Sequence, residues 1–267
     1  MTKAYAPADT AGVDTVVDAG ILRVTINRPA RMNSVTTASL NAIAEAFEAH
    51  AGAPGARAAV LTGAGRAFCT GADLSTVDDL SGPPSSATID AANRAVAAIR
   101  SFPRPVICAV NGPAAGVGVS LALAGDLTVA TESSYLLLAF TKIGLMPDGG
   151  ASALVAASIG RARALKMGLL AERLPASEAL AAGLIAEVLA DDEFAAGVDA
   201  LAARLVAGPS DALGATKAAI NDATLTELDA AFARERAGQL ELLAAADFAE
   251  GVDAFLGKRA PVFGTKA

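Results

Sequence analysis

At 267 residues, 53% of them hydrophobic, the chain can bury a sizeable core in one large domain or a domain with a small appendage. Its formal net charge of −7 argues against a nucleic-acid surface and an anionic membrane surface. A polyanionic ligand would need a local cluster of Lys and Arg.

Residues 1–14 carry one Lys and no apolar run, so they read as a loose leader and not as a signal peptide. Residues 21–26 alternate as a strand, closed by Asn27-Arg28-Pro29. Thr36 or Thr37 can cap a helix running to about His50, with Leu40, Ile43, Ala44 and Phe47 on one stripe. Residues 58–62 form a short buried strand, broken by Gly63-Ala64-Gly65. Residues 81–87 carry a loop signal, and a helix over 88–102 stops at Pro103 and Pro105. A central strand over 106–110 leads through a glycine turn into a helix over 117–124, which is too short an apolar run to cross a bilayer. Residues 127–130 and 135–138 are further strands. After Pro147 the pattern turns to helices, over 149–158, 161–170, 177–182, 192–206, 210–221 and 225–255. The order predicts an α/β core over 15–200 and a helical region over 201–267.

Two cysteines, Cys69 and Cys108, make no disulfide framework and read as buried free thiols, and a cytoplasmic, reducing location is the expectation. The single histidine, His50, ends a surface helix, which removes His-rich metal sites. Gly118-Val119-Ser120-Leu121-Ala122 resembles a nucleophile elbow, but Ala122 replaces a glycine and no His follows Ser120. Gly116-Val117-Gly118 opens a helix after a strand, yet the third glycine of a dinucleotide fingerprint falls at Leu121.

Two small-residue segments carry more. Ala67 to Leu74 and Asn111 to Gly118 each lie between an apolar strand and a helix. Such junctions let backbone N–H groups approach a ligand, and two of them aimed at one oxygen make an oxyanion hole. Asp73, in the first, suits a helix cap or loop anchor, and Asp126 suits a structural role. Asp148 lies among apolar neighbours in Gly144 to Gly150, where it can be an N-cap or a general base whose pKa is raised by burial. Lys258-Arg259 closes the last helix and suits its dipole or a phosphate.

Together these segments resemble the crotonase family, also called the enoyl-CoA hydratase/isomerase superfamily. The matching pieces are Asn27-Arg28-Pro29, Met32-Asn33-Ser34, Gly71-Ala72-Asp73-Leu74, Pro105 to Gly118, Gly144 to Gly150 and Phe255 to Pro261, covering about residues 15–264. The resemblance implies a spiral of ββα turns, a helical C-terminal region that builds trimers or hexamers, and an acyl-CoA thioester as ligand. It implies no metal, and no cofactor beyond the CoA of the substrate. It places the thioester oxygen on the N–H groups of Ala72 and Val117, with Cys69, Gly71, Asp73, Leu74 and Gly116 around them. The family usually has Gly where Val117 stands. Arg28, Arg31 and Met32 fall along the CoA adenine and ribose, largely through backbone. Phe255 and Lys258 match positions that reach a neighbouring subunit's CoA.

Family hydratases activate water with two glutamates, which align here with Ser120 and Phe140. Neither residue is a carboxylate. Asp148 matches the single catalytic acid of some enoyl-CoA isomerases. The expectation is therefore an enoyl-CoA isomerase with Asp148 as its acid/base and with Phe140, Ser120 and Cys69 lining the acyl pocket. The alternatives are a hydratase or other crotonase reaction, and a non-catalytic acyl-CoA-binding scaffold.

Overall fold

The computed structural model describes residues 11–53, 55–74 and 84–264. Strands β1 (Val13–Asp18), β2 (Ile21–Ile26), β3 (Ala58–Gly63), β4 (Val106–Val110), β6 (Leu127–Thr131) and β9 (Glu187–Leu189) lie side by side in that order in one sheet. All pairings after β1–β2 are parallel. The central strands are apolar on both faces because both faces are covered. Val24, Leu61, Cys108 and Val110 face the main core beneath helices α1 (Thr37–His50) and α2 (Ala87–Ser101). Ile21, Val60, Ile107 and Val129 face Phe194, Val198 and Ala202 of α6 (Phe194–Ala207). Phe47 of α1 meets Phe102 edge to face, 5.5 Å between ring centres.

A second, smaller sheet joins β5 (Ala114–Ala115), β7 (Tyr135–Leu137) and β8 (Leu174–Pro175). Parallel bridges Cys69↔Ala114 and Val35↔Ala72 continue it into the earlier turns of the chain. Each turn thus runs from a long strand to a short segment of the second sheet, then onward to a helix. This stacking sets the bend at Ala72 beside the one that starts α3 (Val117–Leu123).

Strand β1 begins at Val13, inside the 1–14 segment that the sequence reads as a loose leader; residues 1–10 of that segment lie outside the described residues. Its hairpin turns through Ala19 and Gly20, both at positive φ (48° and 81°), the geometry of a two-residue hairpin loop. Ala-Gly is not among the usual sequences for that turn. Val16 and Val17 on β1 stay exposed, so no buried stripe marks the strand. The loop signal at 81–87 lies partly outside the described residues; residues 84–86 precede α2.

Helix α4 (Ala151–Leu170) breaks its geometry at Gly160, matching the two expected segments. It is followed by α5 (Ala176–Ala182). The single helix expected over 225–255 is instead two, α8 (Leu228–Leu243) and α9 (Ala246–Leu256), with Ala245 extended between them. The division follows from docking: a Cβ on Gly251 would sit 2.5 Å from the Ile143 Cα, so α9 lies directly on the segment 139–143. Alanine offers no local stop signal there.

Helix α7 (Ser210–Thr224) is tied down by charge. The Lys217 ammonium lies 2.8 Å from the Asp126 carboxylate, which also accepts the Val106 N–H at 2.7 Å. Lys217→Met leaves that half-buried carboxylate unpaired, so the urea midpoint should fall by the equivalent of about 3 kcal/mol. Among the described residues no helix is long and apolar enough to span a membrane, and no group of three or more His, Cys, Asp or Glu could hold a metal.

Candidate active site

The first bend follows from strand alternation. Cys69 donates its N–H to the Pro113 carbonyl and accepts from Ala115 N–H, so it faces the third turn. The Gly71 carbonyl accepts the Val35 N–H at 2.8 Å, and Asp73 N–H donates to the Val35 carbonyl at 2.9 Å. In a parallel bridge of this kind the middle residue points its own N–H the other way. The Ala72 N–H is therefore directed away from Val35. Gly71 reaches this geometry at φ 100°, and a Cβ there would stand 3.2 Å from the Ala115 carbonyl oxygen.

The second bend is Gly116, at φ 55° and ψ −131°, which caps α3. Its own N–H is bonded to the Leu137 carbonyl at 2.9 Å. Val117 is the first residue of α3, so its N–H is one of the donors without an intrahelical partner. The bends touch: a Cβ on Gly116 would lie 3.4 Å from the Gly71 Cα and 4.0 Å from the Phe140 Cζ. Ala72, Gly71, Gly116, Val117 and Phe140 therefore form one patch.

Asp148 joins the patch through α3. The buried Ser120 hydroxyl donates to the Asp148 backbone carbonyl at 2.7 Å. A Cβ on Gly149 would lie 2.9 Å from the Ser120 Cβ and 3.5 Å from a Val117 methyl, so only glycine fits between them. The Asp148 side chain is no N-cap. Gly150 and Ser152 N–H groups donate instead to Glu235, at 2.7 and 2.8 Å. This carboxylate comes from α8 and is fully buried. Asp148 Oδ2 accepts a hydrogen bond from Gln239 Nε2 at 3.0 Å, while Oδ1 is shielded and has no partner among the described residues. Burial pushes the carboxyl up to about 7; the Gln239 bond opposes the shift and the Glu235 charge adds to it. Burial also pushes the Glu235 carboxyl up, against the hydrogen bonds it accepts.

Glu235 and Gln239 are the residues that sequence reasoning missed. The signal is their spacing: Leu228, Ala231, Glu235 and Gln239 are the buried residues of α8 and fall on one stripe. Two polar groups on a buried stripe need partners. Glu235→Ala leaves the buried Gly150 N–H and the part-buried Ser152 N–H without their acceptor, so the denaturant midpoint should drop by the equivalent of about 2 kcal/mol.

A model of the enoyl-CoA hydratase/isomerase family matches residues 17–266. The chain belongs to this family. It is 40% identical over 251 residues to the 1,2-epoxyphenylacetyl-CoA isomerase of Escherichia coli K12, covering 92% of this chain and 96% of that one. It is 42% identical over 252 residues to a probable enoyl-CoA hydratase of Rhodobacter capsulatus, covering 92% and 95%. The crystal structure of an enoyl-CoA hydratase from Mycobacterium avium subsp. paratuberculosis K-10 superposes with a TM-score of 0.89 at 50% identity, covering 96% of this chain and 100% of that one. The crotonase fold expected from the sequence is therefore the fold of this protein.

The other residues singled out in the sequence fall in three places. Arg28 donates to the Ser34 carbonyl and pairs with Asp73 at 2.9 Å, and Thr70 donates to the Met32 carbonyl at 3.0 Å. The segment Arg28 to Asn33, with exposed Arg31, is thereby fastened to the first bend, which Leu74 closes half-buried. Asp73 is a loop anchor, as one of its two expected roles required. Cys69 is fully buried under α3, where a Cβ on Gly118 would meet its carbonyl oxygen at 2.2 Å. Burial pushes the Cys69 and Cys108 thiols up to about 12, which makes both inert. Phe255 and Lys258 close α9 on the surface, with Phe255 59% exposed. A cavity of about 610 Å³ between α4 and α5, lined among others by Ile159, Arg163, Lys166 and Met167, shares no lining residue with the bends or with Asp148.

Proposed function

We propose that this protein is an enoyl-CoA isomerase that moves a double bond from the 3,4 to the 2,3 position of an acyl-CoA thioester. One observation carries the reading. The two bends lie beside the backbone of Asp148 and Gly149, and the Asp148 carboxylate has one oxygen held and the other shielded, without a partner among the described residues. Asp148 takes a proton from the carbon next to the thioester. The C–H electron pair moves into the C1–C2 bond, and charge collects on the thioester oxygen. That oxygen accepts from the Ala72 and Val117 N–H groups. The dienolate then collapses, and the same carboxyl returns the proton two carbons further on. A shifted pKa near neutrality suits a group that must take a proton and give it back. No water is consumed, so no second carboxylate is needed, in keeping with Ser120 and Phe140 at the positions of the hydratase glutamates. The likeness to a protein named as an acyl-CoA isomerase supports the same class of chemistry.

The Arg28 to Asn33 segment, with Cys69, Gly71, Asp73, Leu74 and Gly116 framing the hole, belongs to substrate binding in this reading. Phe255 and Lys258, exposed on the surface, serve the CoA of a neighbouring subunit in a trimer or hexamer.

The test uses two substrates. With trans-3-hexenoyl-CoA, the absorbance of the conjugated thioester should grow at a rate proportional to enzyme. With crotonyl-CoA, the same absorbance should fall at less than about a hundredth of that rate. Fast loss of the crotonyl signal with no gain from the 3-enoyl substrate would overturn the assignment in favour of hydration.

A further inference from the structure

We propose that Gln239 is a positioning residue for the reaction, fixing Asp148 so that Oδ1 alone carries the shuttled proton. The inference rests on the isomerase reading above and extends it into helix α8, for which the resemblance implies oligomerisation and no part in the chemistry.

The amide orientation of Gln239 is dictated by its two contacts. The Met146 N–H can only donate, so the oxygen 3.1 Å from it is Oε1. The other end is then Nε2, which donates to Asp148 Oδ2 at 3.0 Å. An oxygen accepting that bond is a poor place for the acid proton. When Asp148 is protonated, the proton lies on Oδ1, the shielded atom with no partner among the described residues. One amide thus selects which oxygen works, and ties the loop on both sides of Pro147.

The neighbouring contacts make this a rigid mount. Glu235, one turn earlier on α8, holds the Gly150 and Ser152 N–H groups. Between the two, Gly238 packs directly against the Met146 side chain, so α8 approaches the loop closely here. Among the described residues, the groups that act on the Asp148 carboxyl are the amide of Gln239 and the titratable Glu235, both from α8, while Ser120 of α3 binds the Asp148 backbone carbonyl. A base mounted in this way keeps one direction through both proton transfers, which a freely rotating carboxylate does not.

The experiment compares wild type, Gln239→Met, Gln239→Ala and Asp148→Asn in isomerisation of trans-3-hexenoyl-CoA and in solvent deuterium exchange at the carbon next to the thioester. Gln239→Met fills the space and favours helix; Gln239→Ala serves if it fails to fold. Either should lower kcat by about 10- to 100-fold with KM changed less than about threefold. Loss of the donated bond removes a stabiliser of the carboxylate, so the rise of kcat with pH should move up by about one unit. Added to Asp148→Asn, the Gln239 change should cost nothing more. Retained activity in Asp148→Asn would overturn the isomerase reading itself. Loss in Asp148→Asn together with an unshifted pH profile and unchanged kcat in both Gln239 variants would overturn the positioning role alone.

Discussion

If the proposed isomerisation is the reaction, Asp148→Asn should lower its turnover by about three orders of magnitude while leaving acyl-CoA binding near its original strength. Asparagine keeps the size of the side chain and can still accept from Gln239, so the loop has no reason to move. What it loses is basicity. In the wild-type protein burial pushes this carboxyl up to about 7, so turnover should rise with pH through neutrality and level off above it. No second, falling limb is expected, because the proton taken is the proton returned. The same substitution should act oppositely on stability. The carboxyl holds its proton more tightly folded than at its ordinary value of 3.8, so ionisation destabilises the fold as pH rises from about 4 to about 7. A neutral amide in its place removes that penalty. The thermal midpoint of the variant should exceed that of wild type at pH 8 by several degrees and match it near pH 3. A variant that is both inactive and no more stable at pH 8 would mean that Asp148 ionises freely in the fold.

The sequence made some parts of this molecule plain and concealed others, for physical reasons. Strands β3 and β4 are legible because a sheet covered on both faces favours apolar runs, and β2 is legible by alternation, with Arg23 and Thr25 between buried Leu22, Val24 and Ile26. Helix α1 announces itself through Thr36, which forms a capping box with Ser39. Strand β1 is concealed because it packs on one edge and turns through an Ala-Gly pair. The break between α8 and α9 is set by what α9 docks against, and no residue there breaks a helix on its own. In the site the bends are legible because only small residues allow backbone to approach backbone, as at Gly71 and Gly116. Asp148 stands out as an acid among apolar neighbours. The groups that set its orientation do not, because Glu235 and Gln239 lie 83 or more residues downstream of the groups they bind. A charged residue in a helix ordinarily faces water, and only the stripe shared with Leu228 and Ala231 says otherwise.

Val117→Pro isolates the other half of the chemistry. Residue 117 is the first of α3, where proline is tolerated because the lost N–H has no intrahelical partner. Proline also demands a non-helical residue before it, and Gly116 already holds ψ at −131°. The fold should therefore survive with its thermal midpoint little changed. The proposed oxyanion hole should not, since one of its two donors is replaced by a ring carbon. Losing one such donor costs about 3 kcal/mol of transition-state stabilisation, so kcat should fall about 100- to 1,000-fold. Val117→Ala separates this from any effect of the side chain, because it trims the β-branch and keeps the N–H. That variant should retain turnover within a few-fold of wild type. The deuterium-exchange rate at the carbon next to the thioester should follow the same order, since enolate formation precedes the return of the proton. Proline and alanine variants of equal activity would show that the Val117 amide does not touch the developing charge, whatever Asp148 does.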